Sequence, residues 1–381
     1  MKCYDRDHEA HKLWTQFDLG RNVLMLAPRR VGKTVLLERL KEESGSKGYR
    51  AIVLDVEGYR EERAFFREMC ASIQEEIGAG QTLLASFAER LKRVVQGAEF
   101  EGDWRNLLLK VDWALFADNL IAQLEDEKDG KTWLFLVDEI TIFTKALLDG
   151  PEGRERASEF LYLLRRLCRE HPRVRWLYTG SIGLDTLARR HGIEGALVDL
   201  DIFQLEPFGE ATAKGFLQQL ATRSGCSITD DGLSALLGRL GWLAPYYLGK
   251  IGEAACELAA AKVIDETVAN EAGDSLLKLE HRIYWSTWRE HLDKNFPEPE
   301  KTRLFNLLAE IARSPRGATL DTLLLILNRG SEGFGGEVLR EYLDTLEADG
   351  YVTGDETRGR FRFRLNLLRE WWLRYVALPV A

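Results

Sequence analysis

Residues 22–34 read NVLMLAPRRVGKT, and the order of residue types in them decides the fold. Val23, Leu24, Met25, Leu26 and Ala27 form an apolar run of strand length, ended by Pro28. From Lys33 onward Leu36, Leu37 and Leu40 recur at helical spacing. A buried strand, a loop containing Gly32 and a helix opening with Lys-Thr aim the N–H groups of the loop and of the helix N-terminus at one point, which suits a phosphate. Lys33 is expected to reach the outer phosphates and Thr34 to ligate magnesium, while Gly32 allows the backbone to approach closely. The expected nucleotide-binding positions are Pro28, Arg29, Arg30, Val31, Gly32, Lys33, Thr34 and Val35. Ala27 stands where this pattern usually has glycine.

Outward from this segment, short apolar runs at 51–56, 133–138, 174–179 and 197–203 read as further buried strands. Helix-period stretches such as 60–77 and 104–124 lie between them. Strands alternating with helices predict an open parallel α/β sheet with its ligand site at the carboxyl ends of the strands. Two of the runs end in polar residues of the expected kind. Residues 134–139 (LFLVDE) deliver Asp138, placed to hold magnesium directly or through water, and Glu139, placed to orient or deprotonate an attacking water. An apolar strand ending in Asp-Glu is also an ordinary solvated strand end; its position after a phosphate loop gives it weight. The next strand ends in Thr179-Gly180-Ser181, where a hydroxyl serves either as a γ-phosphate sensor or as a plain cap. Thr179 and Ser181 are treated as one candidate sensor, so the catalytic candidates are Lys33, Glu139, Thr179 and Ser181.

At 381 residues the chain is long enough for two or three units, each with its own core, and 45% hydrophobic and 30% charged residues exclude a disordered chain. The five cysteines are scattered without a metal-ligand spacing, which fits a reduced compartment. No apolar leader or membrane-length stretch is present, so the expectation is a cytoplasmic protein with no membrane partner. The net charge of -9 restricts any nucleic-acid surface to a local patch.

After Glu206-Pro207-Phe208 the strand signal stops and helices follow to about residue 282. In 241–247 (GWLAPYY) Pro245 and the aromatics either frame a nucleotide base or simply start a helix on a core. Residues 293–301 read as a linker. Helices at 301–313, 319–327 and 336–348, then short strands at 351–353 and 360–364, give a winged-helix order. Arg358, Arg360, Arg362 and Arg364 interleave with Phe361 and Phe363, as a DNA-facing strip or as the outer face of a half-buried strand. The helix before them, in the recognition position of that order, carries Glu337, Glu341, Asp344, Glu347 and Asp349 against a single Arg340, a face that repels phosphate. Residues 367–375 (LLREWWLRY) read as core or as a docking surface. Arg165, Arg166, Arg169, Arg173, Arg189 and Arg190 are mostly solvated helix charges, with at most one or two able to complete a neighbour's site as arginine fingers.

Together, Tyr4-Asp5-Arg6 with Glu9, APRRVGKT, LFLVDE, the TGS strand end, LEPF at 205–208, the GWLAP turn and the terminal FRFRLNLLREWW resemble the archaeal-type and STAND P-loop ATPases, relatives of AAA+ proteins. The resemblance implies a five-stranded parallel AAA+-like sheet in residues 1–207, a helical lid in 208–292 and a winged-helix domain in 293–381. It places the sensor strand between the phosphate-loop strand and the strand of Asp138, and has Arg6 and Pro245 frame the nucleotide. The implied cofactors are ATP and Mg2+, and the implied activity is slow ATP hydrolysis used as a regulatory switch with a protein partner or through self-association. Two alternatives remain open: an ATP-dependent DNA-binding protein using the winged helix, and a non-hydrolysing scaffold that holds ADP.

Overall fold

The computed structural model describes residues 4–78, 83–94, 104–127, 130–180, 184–329, 333–355 and 359–377. The chain forms two compact units. One comprises residues 1–27 and 33–205; the other comprises Pro28–Gly32 and residues 206–381.

The first unit is built on five parallel strands, β1 (Asn22–Leu26), β2 (Tyr49–Asp55), β3 (Thr132–Asp138), β4 (Val174–Gly180) and β5 (Leu200–Gln204), in the spatial order β2-β3-β4-β1-β5. The candidate sensor strand β4 thus lies between β1 and β3, as the resemblance implied. β1, β3 and β4 are interior to the sheet and buried almost throughout, which is why they are near-continuous apolar runs. β5 is an edge strand, starts three residues later than its apolar run suggests, and is largely solvated. Glu194–Leu197 instead forms a 3-10 turn. An ion pair of 2.7 Å from Arg21 to Asp201 and the exposed Gln204 give this edge a polar character that resists further strand pairing.

One face of the sheet carries an aromatic ladder. Side chains two residues apart on a strand share a face, so Trp133 and Phe135 of β3 line up with Trp176 and Tyr178 of β4, with Phe135 and Trp176 4.7 Å apart. Behind them lies helix Glu62–Ile77, whose Phe65, Phe66, Met69, Cys70, Ile73 and Ile77 repeat at the spacing of one helical face. Phe65 meets both Phe143 and Phe160, each ring pair adding about 0.5–1.5 kcal/mol beyond simple burial. This packing fixes the strand ends that carry the site.

In the second unit four helices, Glu210–Arg223, Asp230–Leu240, Pro245–Leu258 and Glu266–Ser275, enclose a two-residue parallel pair, β6 (Ser227–Ile228) and β7 (Val263–Ile264). Thr229 and Asp265 cap the second and fourth of these helices through side-chain oxygens that accept from Gly232 and Val268 N–H. The stretch read as a linker is mostly helical. Helix Ile283–Asn295 runs into it, helix Glu300–Arg313 begins inside it, and buried Phe296 pins the joint between them. β8 (Ala318–Thr319), helices Leu320–Leu327 and Gly336–Ala348, and the antiparallel pair β9 (Val352–Asp355) and β10 (Arg360–Phe363) follow, with sheet order β8-β10-β9. The closing helix Asn366–Tyr375 buries Leu367, Leu368, Trp371 and Trp372, so it belongs to the core of this unit.

Candidate functional site

Register alone brings the polar strand ends of the first unit together. Val137 pairs with Tyr178, so Asp138 comes level with Thr179, and Met25 pairs with Thr179 on the other side of β4. The Thr179 hydroxyl donates to Asp138 Oδ1 at 2.5 Å, and the Thr34 hydroxyl donates to Asp138 Oδ2 at 3.0 Å. The Glu139 N–H adds a bond to Oδ1 at 3.1 Å. Asp138 is 6% exposed and Thr179 fully buried, so these bonds replace the water that the carboxylate loses.

Lys33, 7% exposed, opens the helix Lys33–Ser44. Its Nζ donates to the carbonyls of Ala27 at 3.2 Å and Gly180 at 3.1 Å, which holds a positive charge at the carboxyl ends of β1 and β4. Two oxygens on Asp138 and Thr34, an ammonium and a helix N-terminus make this end of the sheet able to bind a phosphate together with a hard cation. Among the described residues no cluster of three or more His, Cys, Asp or Glu could hold a metal by itself.

Glu139 has φ 59°, a left-handed backbone uncommon for a residue with a Cβ, and sits at the N-cap of helix Ile140–Leu148. Arg30 shares this conformation at φ 69°, and Gly32 lies at φ 98°. Arg6 is 4% exposed, precedes helix Asp7–Asp18 at its N-cap position and pairs with Glu9 at 2.5 Å. Val31 is buried and Val35 exposed. Ser181 lies outside the described residues, as does Arg358.

Pro28–Gly32 packs within the second unit. Arg29 donates to the Thr287 carbonyl at 3.1 Å, and the Arg30 guanidinium lies 4.4 Å from the ring centroid of Tyr246. Pro28 touches the flank of Gly350, and Trp242 and Trp288 are close by. Pro245 occupies the first turn of its helix, where its missing N–H is harmless. Next to it Tyr247 accepts from Trp288 Nε1 at 2.5 Å, and Tyr351 donates to the Trp288 carbonyl at 2.6 Å. Burial pushes both phenols up, so they remain neutral partners. The roles of Thr287 and Gly350 have no sequence signal beyond the Asp349-Gly350 turn.

Most of the arginines considered as fingers are committed to ion pairs or carbonyls. Arg165 pairs with Asp199 and Arg166 with Asp118, each at 2.6 Å, and Arg173 donates to the Glu125 carbonyl. On β10 the burial alternates, Phe361 and Phe363 inward and Arg360 and Arg362 outward, as a half-buried strand requires. Arg360 donates to the Gly317 carbonyl and Arg364 to the Val352 carbonyl. Cys168 is buried, and that burial pushes its thiol up to about 12, which disfavours the thiolate.

No protein-family model matches the chain, and no curated protein does. Among solved structures it is similar to the Walker-type ATPase PABY2304 of Pyrococcus abyssi, with TM-score 0.66 and 17% identity over 97% of this chain and 95% of that one. The two chains share a fold. The chain is also similar to the Aeropyrum pernix ORC2 protein solved as ADPNP-ADP complexes, with TM-score 0.59 and 15% identity over 97% of this chain and 93% of that one. Both likenesses are of fold, a parallel α/β sheet followed by a mainly helical segment. Among the described residues no helix is long and apolar enough to cross a membrane.

Proposed function

We propose that this chain binds ATP with magnesium through Lys33, Thr34 and Asp138, hydrolyses it slowly, and acts as a nucleotide-controlled switch of the AAA+/STAND type. The observation that carries the reading is the Asp138 carboxylate held between the hydroxyls of Thr34 and Thr179. Thr34 Oγ1 and Asp138 Oδ2, 3.0 Å apart, are hard oxygen donors of the kind magnesium uses when waters and phosphate oxygens complete its shell. When bound, the metal would supply positive charge at the phosphate oxygens. The nucleotide complexes of the Aeropyrum pernix protein, which shares the fold, favour the same class of ligand.

The chain's own residues then divide the work. Lys33 neutralises the outer phosphates from the position its two carbonyl partners define. Glu139 takes a proton from the attacking water as the water oxygen bonds to the γ-phosphorus and the bond to the leaving ADP oxygen breaks. Thr179 fixes the Asp138 carboxylate, and Ser181 shares the sensor assignment. Arg6 and Val35 are assigned to enclosing the nucleotide. The domain boundaries 1–207, 208–292 and 293–381 go with this reading, the last segment as a winged helix that a protein partner or a second copy reads.

Nucleic-acid binding is the weaker reading, because Arg360 and Arg364 donate to main-chain carbonyls and the preceding helix is acidic. Glu139→Gln is the test. The variant should bind ATP as the wild type does and release phosphate at least about 100-fold more slowly. Equal turnover would remove Glu139 from the mechanism, and no turnover in the wild type would favour the ADP-holding scaffold.

A further inference from the structure

Arg30 carries the strained element of the phosphate loop. Its φ of 69° is a conformation that a residue with a Cβ disfavours about tenfold or more. Such a backbone persists only where its neighbours over-determine it. The neighbours of Pro28–Gly32 come from three separate stretches of the second unit. The Tyr246 ring lies under the Arg30 guanidinium, and the Thr287 carbonyl holds Arg29. Gly350, itself at φ 87°, leaves just enough room for Pro28, since a Cβ built on it would stand 2.9 Å from the Pro28 Cβ. Tyr247 and Tyr351, bonded to the side chain and carbonyl of Trp288, brace the same three stretches against one another.

We infer that Tyr246 and Gly350 are positioning residues for the phosphate loop: with the Thr287 carbonyl they hold 28–32 in the conformation whose N–H groups converge on a phosphate. The conformation of 28–32, and with it nucleotide affinity, therefore depends on Tyr246, Thr287 and Gly350. By thermodynamic reciprocity, a bound nucleotide in turn tightens the segments around 246, 287 and 350. This rests on the nucleotide-binding reading above and adds to it a route by which residues far along the chain govern the loop.

Two observables separate this inference from the reading beneath it. The first needs no nucleotide: amide hydrogen exchange at 29–34 should quicken in Tyr246→Leu and in Gly350→Ala, and unchanged exchange in both would overturn the inference. The second is a double-mutant cycle on ADP affinity. Tyr246→Leu should weaken ADP binding about five- to tenfold in the wild-type background. In an Arg30→Gly background, where glycine adopts φ 69° without support, the same change should cost less than about twofold. An equal loss in both backgrounds would mean that Tyr246 acts on the nucleotide independently of Arg30, and no loss in either would mean that it positions nothing; both contradict the inference. If exchange quickens while the wild type binds no ADP, the nucleotide reading fails and the positioning role stands.

Discussion

Thr179→Val isolates the contact on which the site geometry turns. The substitution keeps the shape of a fully buried side chain and deletes the hydroxyl that donates to Asp138 Oδ1 at 2.5 Å. A hydrogen bond to a buried ionised carboxylate is worth about 1.5–3 kcal/mol. Asp138 keeps the bonds from Thr34 and from the Glu139 N–H, so a loss near the middle of that range, about 2 kcal/mol, is expected. For a unit of this size that corresponds to a fall in Tm of about 4–8 °C. Thermal melts of the purified protein without nucleotide, read by circular dichroism, give the number. Asp138→Asn supplies the control, because a neutral acceptor should cut the cost of Thr179→Val to about half. A Thr179→Val melt superimposable on the wild type, or an equal cost when Thr179→Val is combined with Asp138→Asn, would refute the claim that this hydroxyl holds the carboxylate.

Gly32→Ala meets no atom within 4 Å but must adopt φ 98°, so its penalty is purely conformational. Nucleotide affinity should fall about tenfold with little change in the melt of the sheet, and isothermal titration would show it. Glu43 gives a pH signature away from the site. Burial alone would raise its carboxyl, but hydrogen bonds from Arg39 at 2.7 Å and Trp14 at 2.8 Å outweigh this and hold it below its ordinary 4.5. Its contribution is therefore complete above that value and is lost as pH falls through the lower folded-state value. Glu43→Gln should flatten the acid limb of stability against pH below about 4.5, and an unchanged limb would contradict the assignment.

The sheet is legible in the sequence because β1, β3 and β4 are buried on both faces, and such strands must be apolar along their whole length. β5 is blurred because it is an edge strand and only Phe203 within it is buried. The linker reading fails because Pro297 and Pro299 mark only the short joint between helices, with buried Phe296 at its start. Within the site, the order of Lys33, Asp138 and Thr179 can be read from the chain, and the strand order makes Asp138 and Thr179 neighbours. What the sequence does not carry is the surroundings of Arg29 and Arg30. A backbone carbonyl at Thr287 and a missing Cβ at Gly350 are contacts without a residue-type signature. They exist only once the chain has brought stretches far apart in sequence to one loop.

In the proposed binding mode a nucleotide is held by Lys33 together with Thr34 and Asp138. The most direct measurement is equilibrium binding of ATP, with and without magnesium, by the wild type and by Lys33→Ala. Saturable binding to one site is expected in the wild type, tighter with magnesium, and no measurable binding by Lys33→Ala although its fold is intact by circular dichroism. Equal affinity in the two proteins, or wild-type binding indifferent to magnesium, would contradict this binding mode.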